Sequence, residues 1–427
     1  MVTSVQRLVT KRINCNPLNW INRSLRLSGD KPEWHVVYPL RPNSDLPFYC
    51  RPLALFFSIW VLMLGALALH ITEVSYPTMG IPLALCALSS ISFIFGYALT
   101  ALACKSVRCQ SQQFPSIDLD VHRLRTCTSV MLLCVCIIVV ANIFIDGLPP
   151  LFGLFSFDTV TYDQYGRLKQ VLFPLLICVF VNAVFEPSIW RRVGLMVFSF
   201  ATLLLYVTRG NLTTALCQVL IVLSLTSAMR KRAIYILGSS FTLVALGVAT
   251  VLGNARTPLG VFLEYLQIKQ SYRAYPTLFL WLTAYASIPI SNMAWIVHNY
   301  QAVRPTWSFT YSLLPSFWMP DNPHKLLLES CNCIIDGVHT YLSEYYLDLS
   351  YAGIVGINLL IGIVSGYIVA RGVSRTFLVA ALFLTCIVFM YFSDMFTELS
   401  TLINWGLQFA VLKYCFSSTQ SALGQRG

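Results

Sequence analysis

Arg209, Arg256 and Arg273 are the residues of this chain best placed for chemistry, because each stands at the edge of a long apolar run. Arg209 lies in the tight turn Thr208-Arg209-Gly210-Asn211 between two such runs, Arg256 follows Gly253-Asn254, and Arg273 precedes Tyr275-Pro276. A planar guanidinium holds phosphate through two parallel charge-assisted hydrogen bonds. Several at one depth therefore suit a lipid-linked diphosphate. Snorkelling to ordinary phospholipid headgroups is the competing role for any one of them. A further candidate is His339, in the stretch Val338–Gly356, VHTYLSEYYLDLSYAGIVG. A neutral imidazole accepts a proton from a hydroxyl near neutral pH, and Glu344 and Asp348 could orient it or serve as bases themselves. Asp118-Leu-Asp120 has the form of a metal-binding acidic pair, but beside Arg123 it reads as a solvated loop. The histidines show no metal-ligand spacing, and neither GxxxxGK[ST] nor GxSxG occurs. No metal or cofactor is expected.

The elements that must position these groups are membrane helices. The chain has 427 residues, 56% hydrophobic and 11% charged, with mean hydropathy +0.67. Soluble domains carry about a quarter charged residues. Runs long enough to cross a bilayer are Pro52–His70, Ile81–Ala103, Cys127–Ile145, Val171–Phe185, Val193–Thr208, Asn211–Met229, Ala233–Leu252, Ala352–Ala370, Thr376–Phe392 and Leu402–Phe416. The expected fold is an all-α polytopic membrane protein with about 10–12 transmembrane helices. Residues 1–51 read as a basic tail without the apolar core of a signal peptide, 52–416 as one transmembrane domain, and 417–427 as a second tail. Basic clusters follow every second run: Lys105 to Arg125, Arg191/Arg192, Arg230 to Arg232, and Arg371/Arg375. The positive-inside bias then puts both termini in the cytoplasm and explains much of the net charge of +11 without nucleic acid. It leaves Arg167, Lys169, Arg209, Arg256, Lys269, Arg273, Arg304 and Lys325 on the outer side, where topology gives no reason for positive charge.

One run resists the scheme. A single crossing by Thr277–Val297 would invert everything after it, and Pro289 beside Ser287, Ser291 and Asn292 predicts a break near its middle. The segment reads as re-entrant, or as paired with a second pass such as Trp307–Met319. Residues 146–170 and 253–351 then form the substantial outer loops, with an interfacial amphipathic helix over Leu259–Tyr272. Most cysteines fall inside apolar runs, which excludes a disulfide framework. The near absence of ionisable groups within the runs argues against an ion-coupled transporter.

Four pieces together resemble the O-antigen polymerase (Wzy) group of bacterial oligosaccharide repeat-unit polymerases. They are Asp146-Gly147-Leu148-Pro149-Pro150-Leu151-Phe152 with the later Tyr162-Asp163-Gln164-Tyr165-Gly166; Thr208-Arg209-Gly210 before a helix; Tyr275-Pro276 leading to Pro289 and Asn292; and His339-Thr340 with Leu342, Tyr346, Gly353 and Gly356. Ser350-Tyr351 stand where that family carries a glycine. The resemblance implies a GT-C-like membrane glycosyltransferase of the bacterial inner membrane, active at the periplasmic face in lipopolysaccharide biosynthesis. Its substrates would be two undecaprenyl-diphosphate-linked oligosaccharides, joined by inverting transfer of the growing chain onto a new repeat unit. Arg209, Arg256 and Arg273 would hold the diphosphate, and His339 would take the acceptor proton. Tyr162, Tyr165, Arg167, Tyr346, Glu344 and Asp348 would contact sugar, and a separate co-polymerase would regulate chain length. An O-antigen ligase would use similar parts. A non-enzymatic flippase or transporter of lipid-linked oligosaccharides would instead need a charged cavity through the bilayer.

Overall fold

A computed structural model describes residues 35–41, 46–73, 78–104, 116–153, 168–206, 208–226, scattered positions between 232 and 251, 259–300, 305, 307–314, 318, 340–372, 376–392 and 395–418. The described chain is a helical bundle closed at one end by a small sheet. The helices are α1 (Pro52–Ala68), α2 (Gly80–Ala103), α3 (Val121–Asp146), α4 (Lys169–Ala183), α5 (Ile189–Leu205), α6 (Arg209–Leu225), α7 (Leu259–Tyr265), α8 (Thr277–Asn299), α9 (Leu342–Arg371), α10 (Phe377–Phe389) and α11 (Leu399–Cys415). Four of them, α2, α3, α8 and most of α9, are long and apolar enough to cross a membrane, and α1, α4, α6 and α10 are shorter apolar helices. The helix ends follow local chemistry. Pro52 opens α1, where its missing N–H costs nothing, the Asp120 carboxylate accepts the Arg123 N–H at the start of α3, and Gly147, at φ 90°, ends it. Around α4, whose residues Leu172 to Ala183 are all buried, pack α3, α5, α6 and α11.

The sheet departs from the all-α expectation. Strands β1 (His35–Pro39), β2 (Ser116–Asp120) and β3 (Phe416–Ser418) form an antiparallel sheet in the order β1-β2-β3. Parts of both expected tails therefore belong to the folded body. Asp118, expected in a solvated loop, is a buried strand residue 3.2 Å from His35 Nδ1. The alternation of Val36, Tyr38, Ile117 and Leu119 puts apolar side chains on one face of this sheet, against the helix ends. Tyr38 donates to the Phe185 carbonyl at 3.2 Å, and burial pushes its hydroxyl up to about 12.

At the opposite end, two features differ from expectation. First, α8 runs unbroken through Pro289 from Thr277 to Asn299. Packing supplies the support that the lost backbone bond removes, since 83% of its apolar window is buried inside the protein. Its entry is tied to the end of α1, because Lys269 N–H donates to Ile71 O at 2.9 Å and Thr72 bridges Ile268. Its exit is tied to α9, because Tyr346 Oη donates to Tyr300 O at 2.9 Å. Both ties lie away from the sheet. The proposed partner pass Trp307–Met319 is no crossing in its described part, which is the short 3-10 turn Ser308–Leu313. Likewise the amphipathic helix expected over Leu259–Tyr272 stops at Tyr265, and Phe262 stacks on Trp281 with ring centroids 3.9 Å apart.

Second, α9 folds back on itself. Ser350 has φ 55° and ψ −146° in mid-helix. A straight helix would hold Tyr341 and Asn358 about 25 Å apart, yet Tyr341 Oη donates to Asn358 Oδ1 at 2.5 Å. A Cβ on Gly353 would collide with the Tyr345 carbonyl. Residues 342–349 therefore form a short leg antiparallel to the beginning of 351–371. The long leg packs along α2, where Gly96, Gly362 and Gly366 allow backbone to meet backbone. A Cβ at Gly96 would strike the Leu359 carbonyl, and one at Gly366 would lie 2.8 Å from Tyr97 O.

Candidate functional site

The end of the bundle away from the sheet holds the sequence-predicted groups that are described. Thr226, at the foot of α6, bridges Leu40 beside the sheet, so Arg209 at its first turn belongs to the far end. Tyr206, just before it, accepts a hydrogen bond from Asn142 Nδ2 at 3.1 Å, which joins the α5–α6 turn to the last turns of α3. Thr214 Oγ1 donates to Gly210 O at 2.8 Å, tightening the first turn after Arg209. Arg273 lies at the same end, after the single turn Gln270–Tyr272. Tyr272 Oη donates to Leu69 O at 2.8 Å, and Arg273 Nε donates to Ile268 O at 3.0 Å. The Arg273 guanidinium is thus fixed through one nitrogen on an exposed residue, with its terminal nitrogens turned to no described partner. Arg256, His339, Tyr162, Tyr165 and Arg167 lie outside the described residues.

The chain directly after His339 is where sequence and structure differ most. The sequence places it in an outer loop before a crossing, but Thr340 and Tyr341 are buried. The reversal at Ser350 puts Tyr341 beside Asn358, about 10 Å along the helix from the turn. Tyr341 N–H donates to Met390 O at 3.0 Å, so non-helical backbone enters the interior here. The Tyr341 ring meets the Tyr391 ring edge-on with centroids 5.8 Å apart, and Tyr391 meets Trp60 of α1 at 5.1 Å. Among the described residues Thr340 Oγ1 is buried without a hydrogen-bond partner, and the buried Tyr391 Oη and Trp60 Nε1 have none but each other. Such groups are costly away from water, and non-helical backbone at this depth is tolerated where it is buried in protein or lines a cavity.

The other predicted contacts in α9 have protein partners. Asp348, buried, accepts from Ser308 Oγ at 2.9 Å and from Phe309 N–H at 3.0 Å. Tyr346 binds the end of α8, and Glu344, half-buried, lies in the first turn of the short leg. Asp348 and Tyr346 thus fasten the turn Ser308–Leu313 and Tyr300 onto the hairpin. Tyr341, Tyr391, Trp60 and Asn358 were not singled out from sequence. The signal available for Asn358 was a lone amide in an apolar run; the three aromatics gave none, because such residues are common in membrane helices.

No family model, curated protein or solved structure matches this chain. Among the described residues no cluster of His, Cys, Asp and Glu could hold a metal ion.

Proposed function

We propose that this chain is a membrane glycosyltransferase that polymerises lipid-linked oligosaccharide repeat units, with the end away from the sheet as its working face. The observation that carries the reading is the reversed α9, which sets Thr340 and Tyr341, the residues directly after His339 in sequence, in the interior beside Tyr391, Trp60 and Asn358. Thr340, Tyr341 and Asn358 could position a sugar hydroxyl, His339 directly precedes them in sequence, and Arg209 and Arg273 belong to the same end of the bundle. The GT-C-like architecture, the inner-membrane location and the periplasmic orientation of this face belong to the same proposal.

In the reaction, an acceptor hydroxyl oxygen bonds to the anomeric carbon of the donor chain. The bond from that carbon to the diphosphate oxygen breaks, and undecaprenyl diphosphate leaves. His339 takes the acceptor proton. Arg209, Arg256 and Arg273 stabilise the charge that grows on the leaving group, an effect that is strongest where water is excluded. A stable leaving group needs little protonation, so positioning and proton removal are the remaining tasks.

The test is lipopolysaccharide gel analysis of a gene deletion complemented with variants. Arg209→Ala, Arg256→Ala and Arg273→Ala should each abolish the polymer ladder while the protein stays in the membrane, and His339→Ala should reduce it by about 100-fold or more. Normal ladders from all three arginine variants would end the diphosphate assignment. A deletion strain that loses all capping, rather than keeping a single repeat unit, would indicate a ligase.

A further inference from the structure

The sheet end of the bundle contains a second charged site that the proposed reaction does not use. Glu186, in the turn between α4 and α5, is 2% exposed and gathers three arginines. Arg125 Nη2 donates to Glu186 Oε1 at 2.6 Å and Arg125 Nε to both carboxylate oxygens at 3.2 Å. Arg191 Nε lies 3.5 Å from Oε2, and Arg192 donates through Nε and Nη2 to the Glu186 carbonyl oxygen at 2.9 and 2.6 Å. The carboxylate thus faces two guanidinium groups and the main-chain carbonyl a third, and the cluster keeps a positive surplus.

That surplus opens on a groove of about 480 Å³ between α3 and α5, lined by His122, Arg125, Ser129, Val130, Leu133 and Arg191. Arg191 Nη2 donates to Ser129 Oγ at 3.2 Å, which sets its guanidinium across the groove. Arg125 and Arg191 each have a terminal nitrogen, Nη1, with no partner among the described residues. Immediately beyond them the wall turns apolar and outward-facing: Val130 is 57% exposed and Leu133 61%. The sequence of chemistry along the groove is cationic head, then apolar wall, then the apolar surface of α3, which is only 22% buried within the protein.

We propose that this groove binds one anionic phospholipid, its phosphate on Arg125 and Arg191 and an acyl chain along Val130 and Leu133. A free phosphate would satisfy the guanidinium groups alone and leave the apolar wall unused. A lipid phosphate uses both, as basic pockets between transmembrane helices do. Glu186 holds the arginines in place, so no side-chain ordering is needed when the headgroup arrives.

Native mass spectrometry of the detergent-purified protein tests this with phosphatidylglycerol, phosphatidylcholine and inorganic phosphate as probes. One phosphatidylglycerol should be retained in preference to phosphatidylcholine, and Arg191→Gln should weaken its retention about fivefold, the loss of one cationic contact. Lys413→Gln, at the same end of the bundle but outside the groove, should retain the lipid as the native protein does. A photoactivatable phosphatidylglycerol bound to the unmutated protein should crosslink to the peptide containing Val130 and Leu133, a result that does not depend on any variant folding. Equal retention of the two lipids, unchanged retention by Arg191→Gln, displacement of the lipid by millimolar phosphate, or crosslinks only elsewhere would each overturn the assignment.

Discussion

Ser350 shows how much one residue controls. Its φ of 55° and ψ of −146° lie where a side chain is strained and glycine is at ease. Ser350→Gly should therefore stabilise the detergent-purified protein by about 1 kcal/mol, read as a higher melting temperature, whereas Ser350→Val should lower it. If the valine variant melts with the native protein, the reversal at this residue is not what the protein adopts. Glu186 makes a second case. Glu186→Gln leaves Arg125 and Arg191 around a neutral amide, and breaking a buried pair in this way costs about 3–5 kcal/mol. The expected readout is a marked loss of folded protein in gel-filtration profiles, partly recovered when Arg125→Gln is added. Neither role was legible in the chain. A serine in a helical run carries no mark of positive φ, and Glu186 finds Arg125 only across 61 residues of sequence.

Among the elements, the pair α2 and α9 is the tightest joint. Gly96, Gly362 and Gly366 let the two backbones touch, and any Cβ there must displace main chain rather than a movable side chain. Gly96→Leu and Gly362→Val should abolish accumulation of folded protein, because overpacking at backbone contact has no low-cost relaxation. Gly356 has open space at its Cβ position, so Gly356→Ala should stay within about 0.5 kcal/mol of the native protein. Equal tolerance at Gly96 and Gly356, measured by fluorescence-detected gel filtration, would contradict this packing. The helices themselves were largely readable: apolar length gave α1 to α6, α10 and α11 nearly to their ends. The hairpin in α9 was not, because its short leg carries Glu344 and Asp348 and reads as loop before the crossing, and only contact with the long leg reveals the turn.

For the whole molecule, the arrangement makes a topological prediction. Several helix ends meet the sheet, as at Phe377, which packs on Phe185 and Phe416 with centroids 5.6 and 5.3 Å away. Arg209, Arg273 and the turn at Ser350 belong to the other end. Reporter fusions should therefore place residues 72, 206 and 398 on one side of the membrane and residues 41, 226 and 418 on the other. A fusion map that put positions 251 and 350 on opposite sides would make α8 a net crossing and dissolve the candidate site.

Composition and apolar run length by themselves gave a helical protein with helices long and apolar enough to cross a membrane, and the approximate extent of most of them. Those properties are set by local sequence, since burying backbone in lipid demands helices of a given length. The tertiary structure alone decided that Asp118 pairs within a sheet, that α8 stays whole through Pro289, and that α9 reverses to draw the chain after His339 into the core. Each of these depends on partners distant in sequence, whose packing compensates a local cost that the sequence shows only as a cost.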